Sequence, residues 1–231
     1  MISVWSRILD LLSPRACVVC GKRLSVGENF LCAKCNFHLP RTEYQNDPYD
    51  NEMARLFWGR IPIQKCAALF FFNAGSESSN IIYKLKYHNH PEIGLYLGEI
   101  TAKEFQKTDF FEDIDLIIPV PLAKSRQHER GYNQSLLIAS GVRNITKLPI
   151  GKEVVRRNSF KESQTQKDRW QRNENVENAF QLMKPEVIKG KHILLVDDVA
   201  TTGATLCACG KEILKAEDVK ISLLTLSFAK S

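Results

Sequence analysis

An α/β fold built on a mainly parallel central sheet, preceded by a small four-cysteine module, is what this sequence predicts. Short apolar and partly β-branched runs alternate with helical patterns along most of the chain, and alternation of that kind makes successive strands parallel with helices between them. Cys17-x2-Cys20 followed by Cys32-x2-Cys35 predicts the module, because two such knuckles bring four thiolates to one tetrahedral metal. The 231 residues have room for one well-cored domain and an appendage. We divide them into a helix and metal module at 1–50 and the α/β domain at 51–231.

In chain order, Ile2, Trp5, Ile8, Leu9 and Leu12 fall at helical spacing. Arg7 and Asp10 interrupt any signal-peptide core, so a short amphipathic helix packed on the main domain is expected. The cysteines follow, with Gly21 after the first knuckle. Cys17, Cys20, Cys32 and Cys35 fill a zinc shell, leaving nearby His38 outside it. Residues 41–51 hold Pro48 and several turn formers and read as a linker or an irregular edge of the module. The strand 66–72 leads through turn residues to a helix at 79–87. Further strands are expected at 116–120, 192–199 and 219–228, with helices at 92–106, 134–142 and 203–216. Residues 152–178 are too polar and charged for core and read as a mobile excursion, a feature often tied to function.

Composition excludes some classes. Seven cysteines, four of them in close pairs, argue against a secreted disulfide framework and for a reducing cytoplasm. No run approaches the roughly 18 residues of a membrane span. The net charge is +6, and between Pro119 and Asn175 twelve Lys and Arg face five Asp and Glu. An anionic ligand is expected there. Gly203 and Gly210-Lys211 do not make a nucleotide-binding P-loop, since Glu212 follows the lysine.

The chemistry is concentrated in His192-Ile-Leu-Leu-Val-Asp-Asp-Val-Ala-Thr-Thr-Gly-Ala-Thr205. A buried strand ends in two carboxylates and turns through small and hydroxyl residues into a helix, whose free N–H groups and positive dipole end suit a phosphate. Val199, Ala200, Thr201, Thr202, Gly203, Ala204 and Thr205 would form the cradle. Asp197 and Asp198 would accept hydrogen bonds from sugar hydroxyls. VDDVATTGAT resembles the motif by which type I phosphoribosyltransferases bind phosphoribosyl pyrophosphate (PRPP). A second loop, Pro119, Val120 and Pro121 followed by Arg126 and Arg130, stands where that fold meets pyrophosphate, and arginine forks suit phosphate oxygens. The alternative for this stretch is a solvated basic helix start.

IPVPL, RQHERGYNQ, Arg156, Gln166, Arg172, Asn173, Asn178-Ala-Phe180 and LLVDDVATTGAT together resemble the ComF family of competence-associated phosphoribosyltransferase-like proteins. Ile82-Tyr-Lys-Leu-Lys-Tyr-His88 is similar to the segment ahead of that family's core, which bears on Lys84 and Lys86 as ligands, whereas Asn89 to Pro91 departs from it. The resemblance implies a type I phosphoribosyltransferase fold behind a zinc finger, PRPP bound with Mg²⁺, structural Zn²⁺, transfer with inversion and a link to DNA uptake. It equally supports a non-enzymatic accessory that keeps the sugar-phosphate pocket and binds single-stranded DNA or DNA-uptake proteins. Arg15, Lys22, Arg23 and Lys34 would then contact phosphates from the zinc module.

Overall fold

The computed structural model describes residues 14–76, 78–87, 90–158 and 179–230. The expected helix from Ile2 to Leu12 lies outside the described residues. So do His88, Asn89 and residues 159–178 of the expected excursion, with Gln166, Arg172, Asn173 and Asn178.

Four parallel strands make the central sheet: β1 (Cys66–Phe72), β2 (Leu116–Pro119), β5 (His192–Ala200) and β6 (Lys220–Ala229). Their order is β1-β6-β5-β2, and all three pairings are parallel. Near-continuous burial along β1, β5 and β6 matches their near-continuous apolar sequences, as a sheet covered on both faces requires. Ser222, Thr225 and Ser227 are buried in β6 without being orphaned. Ser222 meets the His192 ring at 2.8 Å, while the Thr225 hydroxyl donates to the Ser227 carbonyl.

On one face lie α3 (Ser79–Tyr87), α4 (Pro91–Phe105) and α6 (Gln134–Thr146), packed through Leu85, Ile93, Leu97 and Ile138 against Leu194, Val196 and Leu224. The other face carries α2 (Glu52–Arg55), α7 (Pro185–Ile188) and α8 (Ala204–Ile213), where Phe57, Leu206 and Ile213 meet Ile193, Leu195 and Leu223. Helices α4 and α6 touch backbone to backbone. A Cβ on Gly98 would lie 2.2 Å from the Ile138 carbonyl oxygen, and one on Gly141 would lie 2.1 Å from that of Leu95.

The cysteine module includes the short helix α1 (Ala33–Phe37). Its Cys17, Val18, Leu24, Leu31 and Leu39 belong to the same apolar cluster as α3 and α4. Phe30 packs against Tyr96 at 5.3 Å between ring centroids, and Arg41 pairs with Glu104 at 2.7 Å. Residues 41–51 run along the sheet. Arg41 bridges to Phe70, Phe71 donates to the Pro40 carbonyl, and buried Asn51 caps α2 while donating to the Cys66 carbonyl.

The expected excursion is framed by a two-stranded antiparallel ladder of β3 (Val155–Arg157) and β4 (Phe180–Leu182). Its polar average concealed Val154 and Val155, both buried in the core cluster with Phe180. The basic stretch after β2 forms α5 (Lys124–Arg130), closed by Gly131 in the left-handed region.

Candidate functional site

Strands β2 and β5 end side by side. Pro119 pairs with Val196, and the Val120 N–H donates to the Val196 carbonyl at 2.9 Å. Residues 120–123 and 201–203 therefore leave adjacent strands at the same edge, the crevice where open parallel sheets take ligands. Pro119, Val120 and Pro121 leave β2 at that edge, while Val199 and Ala200 continue β5 beside Ser227 and Phe228 of β6.

Gly203 caps α8 at φ +70° and offers no side chain to its first turn. The glycine is required twice over. That conformation is strained for other residues, and a Cβ there would lie 2.9 Å from the Phe57 ring. Thr201 and Thr202 are exposed, and Ala204 and Thr205 are half-buried in the first helical turn. The turn after α2 holds this loop, since Arg60 donates from Nη1 to the Thr202 carbonyl at 2.7 Å and to the Leu56 carbonyl at 3.0 Å. Sequence reasoning did not find Arg60; its partner lies 142 residues away.

The two carboxylates stand on successive strand positions and so face different elements. Asp197 accepts on Oδ1 from the Ser135 hydroxyl and from the Asp198 N–H, each at 2.9 Å. Burial, then the Asp198 charge, pushes the Asp197 carboxyl up to about 7 against those hydrogen bonds and the charge of Lys86. Asp198 is buried and its Oδ2 lies 3.2 Å from Lys86 Nζ, which projects from the last turn of α3. Arg157 on β3, also missed from the sequence, lies close enough to Asp197 to feel its charge. Burial and the Arg126 charge draw its guanidinium below the usual range while Asp197 opposes them. Its ring partner is Phe180, 5.2 Å from the guanidinium carbon.

The RGYNQ run builds a bracket. Arg130 lies 5.3 Å from the Tyr87 centroid and donates to Gln134 Oε1 at 3.1 Å. Tyr132 donates to the Leu85 carbonyl at 2.9 Å, and Asn133 caps α6 while donating to the Val120 carbonyl at 3.0 Å. The run ties α3, α6 and the β2 loop together around the acidic pair. Of the two arginines expected at phosphate, Arg126 is exposed, whereas Arg130 is half-buried and engaged in this bracket.

The second centre lies in the N-terminal module. The sulfurs of Cys17, Cys20, Cys32 and Cys35 all lie within 4.8 Å of one another, with Cys20 and Cys32 at 3.9 Å. Zinc–sulfur bonds of about 2.3 Å in a tetrahedron put sulfurs about 3.8 Å apart, so the set could hold zinc. Cys32 N–H donates to Cys17 Sγ and Cys35 N–H to Cys32 Sγ, each at 3.4 Å. Burial opposes ionisation of Cys17, but backbone donors at Cys20, Cys32 and Val19 outweigh it and bring the thiol down to about 7. Gly21 turns the first knuckle at φ +71°.

The sequence pattern of the phosphoribosyl transferase domain matches residues 86–230. A DNA utilization protein YhgH from Shigella flexneri is 27% identical over 216 residues, covering 89% of this chain and 93% of that protein. A competence protein F from Haemophilus influenzae is 25% identical over 217 residues, covering 89% and 94%. A competence protein ComFC from Bacillus subtilis is 32% identical over 112 residues, 48% of this chain and 43% of that protein. Among the described residues, no helix is long and apolar enough to cross a membrane.

Proposed function

This chain belongs to the phosphoribosyl transferase domain family, within its ComF branch, and from that premise we propose that it binds PRPP or a related ribose 5-phosphate. The observation that carries the reading is one strand end bearing both halves of such a site. Asp197 and Asp198 lie near the end of β5, and six residues after Asp198 the open first turn of α8 begins behind Gly203. The 5-phosphate rests on that turn and on the hydroxyls of Thr201, Thr202 and Thr205. The carboxyls take the sugar hydroxyls, and Arg126 and Arg157 face the diphosphate.

Mg²⁺, when bound, would supply charge neutralisation of the diphosphate. Two carboxyls on different faces do not make a protein cage, so the cation would be carried largely by substrate oxygens, its usual mode. What the chain itself contributes is placement of the sugar and donors aimed at the leaving group, a mode of catalysis that needs no covalent nucleophile. The four cysteines hold structural Zn²⁺ in this reading.

A second reading, a single-stranded-DNA accessory of DNA uptake, draws on Tyr83 and Tyr87. These rings are 55% and 54% exposed, lie 5.2 Å apart and stand on a helix that also bears Lys84, as base-stacking surfaces do. Calorimetric titration of the zinc-loaded protein with PRPP and Mg²⁺, with and without single-stranded DNA, separates the two. Saturable PRPP binding is expected, weakened about 100-fold in the Asp197→Asn, Asp198→Asn double variant by loss of two charge-assisted hydrogen bonds. DNA binding without PRPP binding would transfer the assignment to the accessory.

A further inference from the structure

One side chain at the acidic pair has no part in the reading above. Lys86 stands in the last turn of α3 and reaches Asp198 Oδ2 at 3.2 Å, with the two side chains only 23% and 13% exposed. Its helix is not free to drift. Ile81, Ile82 and Leu85 are buried beneath it, Tyr132 donates to the Leu85 carbonyl, and Arg130 lies against Tyr87. The ammonium is thus delivered to the carboxylate from a fixed base on both sides of Lys86 in the sequence.

The ion pair uses one Asp198 oxygen. A carboxylate offers roughly four lone-pair sites, so acceptor capacity remains for a hydroxyl, while rotation about the side-chain torsions is restrained by the pair. Asp197 is held differently, by Ser135 and the Asp198 N–H on its Oδ1. Each carboxyl of the pair therefore has its own anchor from a different helix, α6 for Asp197 and α3 for Asp198.

Resting on the sugar-phosphate reading, we propose that Lys86 is a positioning residue that orients Asp198 to accept a ribose 2-hydroxyl, and so makes the site select ribose 5-phosphate over 2-deoxyribose 5-phosphate. The sugar hydroxyl donates to the restrained carboxylate, and a sugar without that hydroxyl leaves the buried acceptor unmatched. An untethered Asp198 can turn away from the missing partner, which removes the penalty against the deoxy sugar together with the gain from the ribose.

The test is calorimetric titration of the full-length zinc-loaded protein with ribose 5-phosphate and, separately, with 2-deoxyribose 5-phosphate. Wild type, Lys86→Met and Lys86→Arg are compared, each first shown by thermal unfolding to be folded. Wild type is expected to prefer the ribose sugar by roughly tenfold, the worth of one charge-assisted hydrogen bond. In Lys86→Met the preference falls below about threefold through lost ribose affinity, and Lys86→Arg restores most of it. Equal weakening of both sugars in Lys86→Met would assign Lys86 to the phosphate or to general stability and overturn the proposal, as would an unchanged preference. Binding of both sugars alike by the wild type would overturn it while leaving the sugar-phosphate site standing. Failure of the wild type to bind either sugar would remove that site, and the role of Lys86 with it.

Discussion

Asp197 stands in surroundings that disfavour its charge. Its pKa rises from an ordinary 3.8 to about 7, chiefly through burial and then the Asp198 charge. A folded-state pKa above the unfolded one means that the stabilising contribution is complete below about pH 3.8 and is lost as pH rises toward 7. Asp197→Asn keeps an oxygen for the Ser135 hydroxyl and the Asp198 N–H while removing the ionisable group. We expect this variant to be more stable than wild type by at least about 1 kcal/mol at pH 8, the difference closing as pH falls to 4. Denaturant unfolding at both pH values measures it. A variant less stable than wild type at pH 8 would show that the carboxylate is held favourably after all. The burial of His192 acts in the opposite sense, since its lowered pKa costs stability as pH falls below about 6.5, so the comparison with Asp197→Asn isolates the one group. A charged group kept at a cost to the fold is what a ligand-binding role entails.

Helices α4 and α6 show how an element places such residues. Ser135 reaches Asp197 from the first turn of α6, and α6 sits where it does because Gly98 and Gly141 let two backbones meet. Gly98→Ala gains about 1 kcal/mol of helix propensity, yet its Cβ would stand 2.2 Å from the Ile138 carbonyl oxygen. Separating the helices outweighs that gain, and we expect a net loss of about 1–3 kcal/mol in chemical denaturation. Gly27→Ala, with nothing within 4 Å and no positive φ, is the neutral control, and equal stabilities for the two variants would reject the packing account. The strands and the turn from β5 into α8 were legible in the sequence because their signals are local: apolar runs, an acidic pair, a glycine between threonines. The four-cysteine cluster was equally legible from spacing. Legibility stopped at contacts between distant segments, such as Arg60 on Thr202, Ser135 on Asp197 and Lys86 on Asp198. Nothing in the neighbouring residues marks which arginine holds a loop. It also stopped at Val154 and Val155, two apolar residues hidden in a polar stretch.

For the whole molecule, the cysteine module is a wall of the core rather than a detached appendage. Val18, Leu24, Leu31 and Leu39 are each at most 7% exposed and share one apolar cluster with α3, α4 and the sheet. We propose that a cation held by the sulfur cluster adds to the order of these short loops, since four thiols this close would ionise together around one. The same argument links the module to the acidic pair of the proposed sugar site. Asn80 of α3 donates to the Val19 carbonyl, and α3 ends in the turn that carries Lys86 to Asp198. We therefore expect the purified protein to contain about one zinc per chain. Chelation, or Cys17→Ser, should cost about 3 kcal/mol and lower Tm by roughly 6–12 °C, with far-ultraviolet circular dichroism of the sheet retained below the transition. Metal analysis beside thermal unfolding with and without chelator measures both quantities. A zinc-free protein whose Tm ignores the chelator would mean that the thiols pack as ordinary core, and that the wall stands without metal.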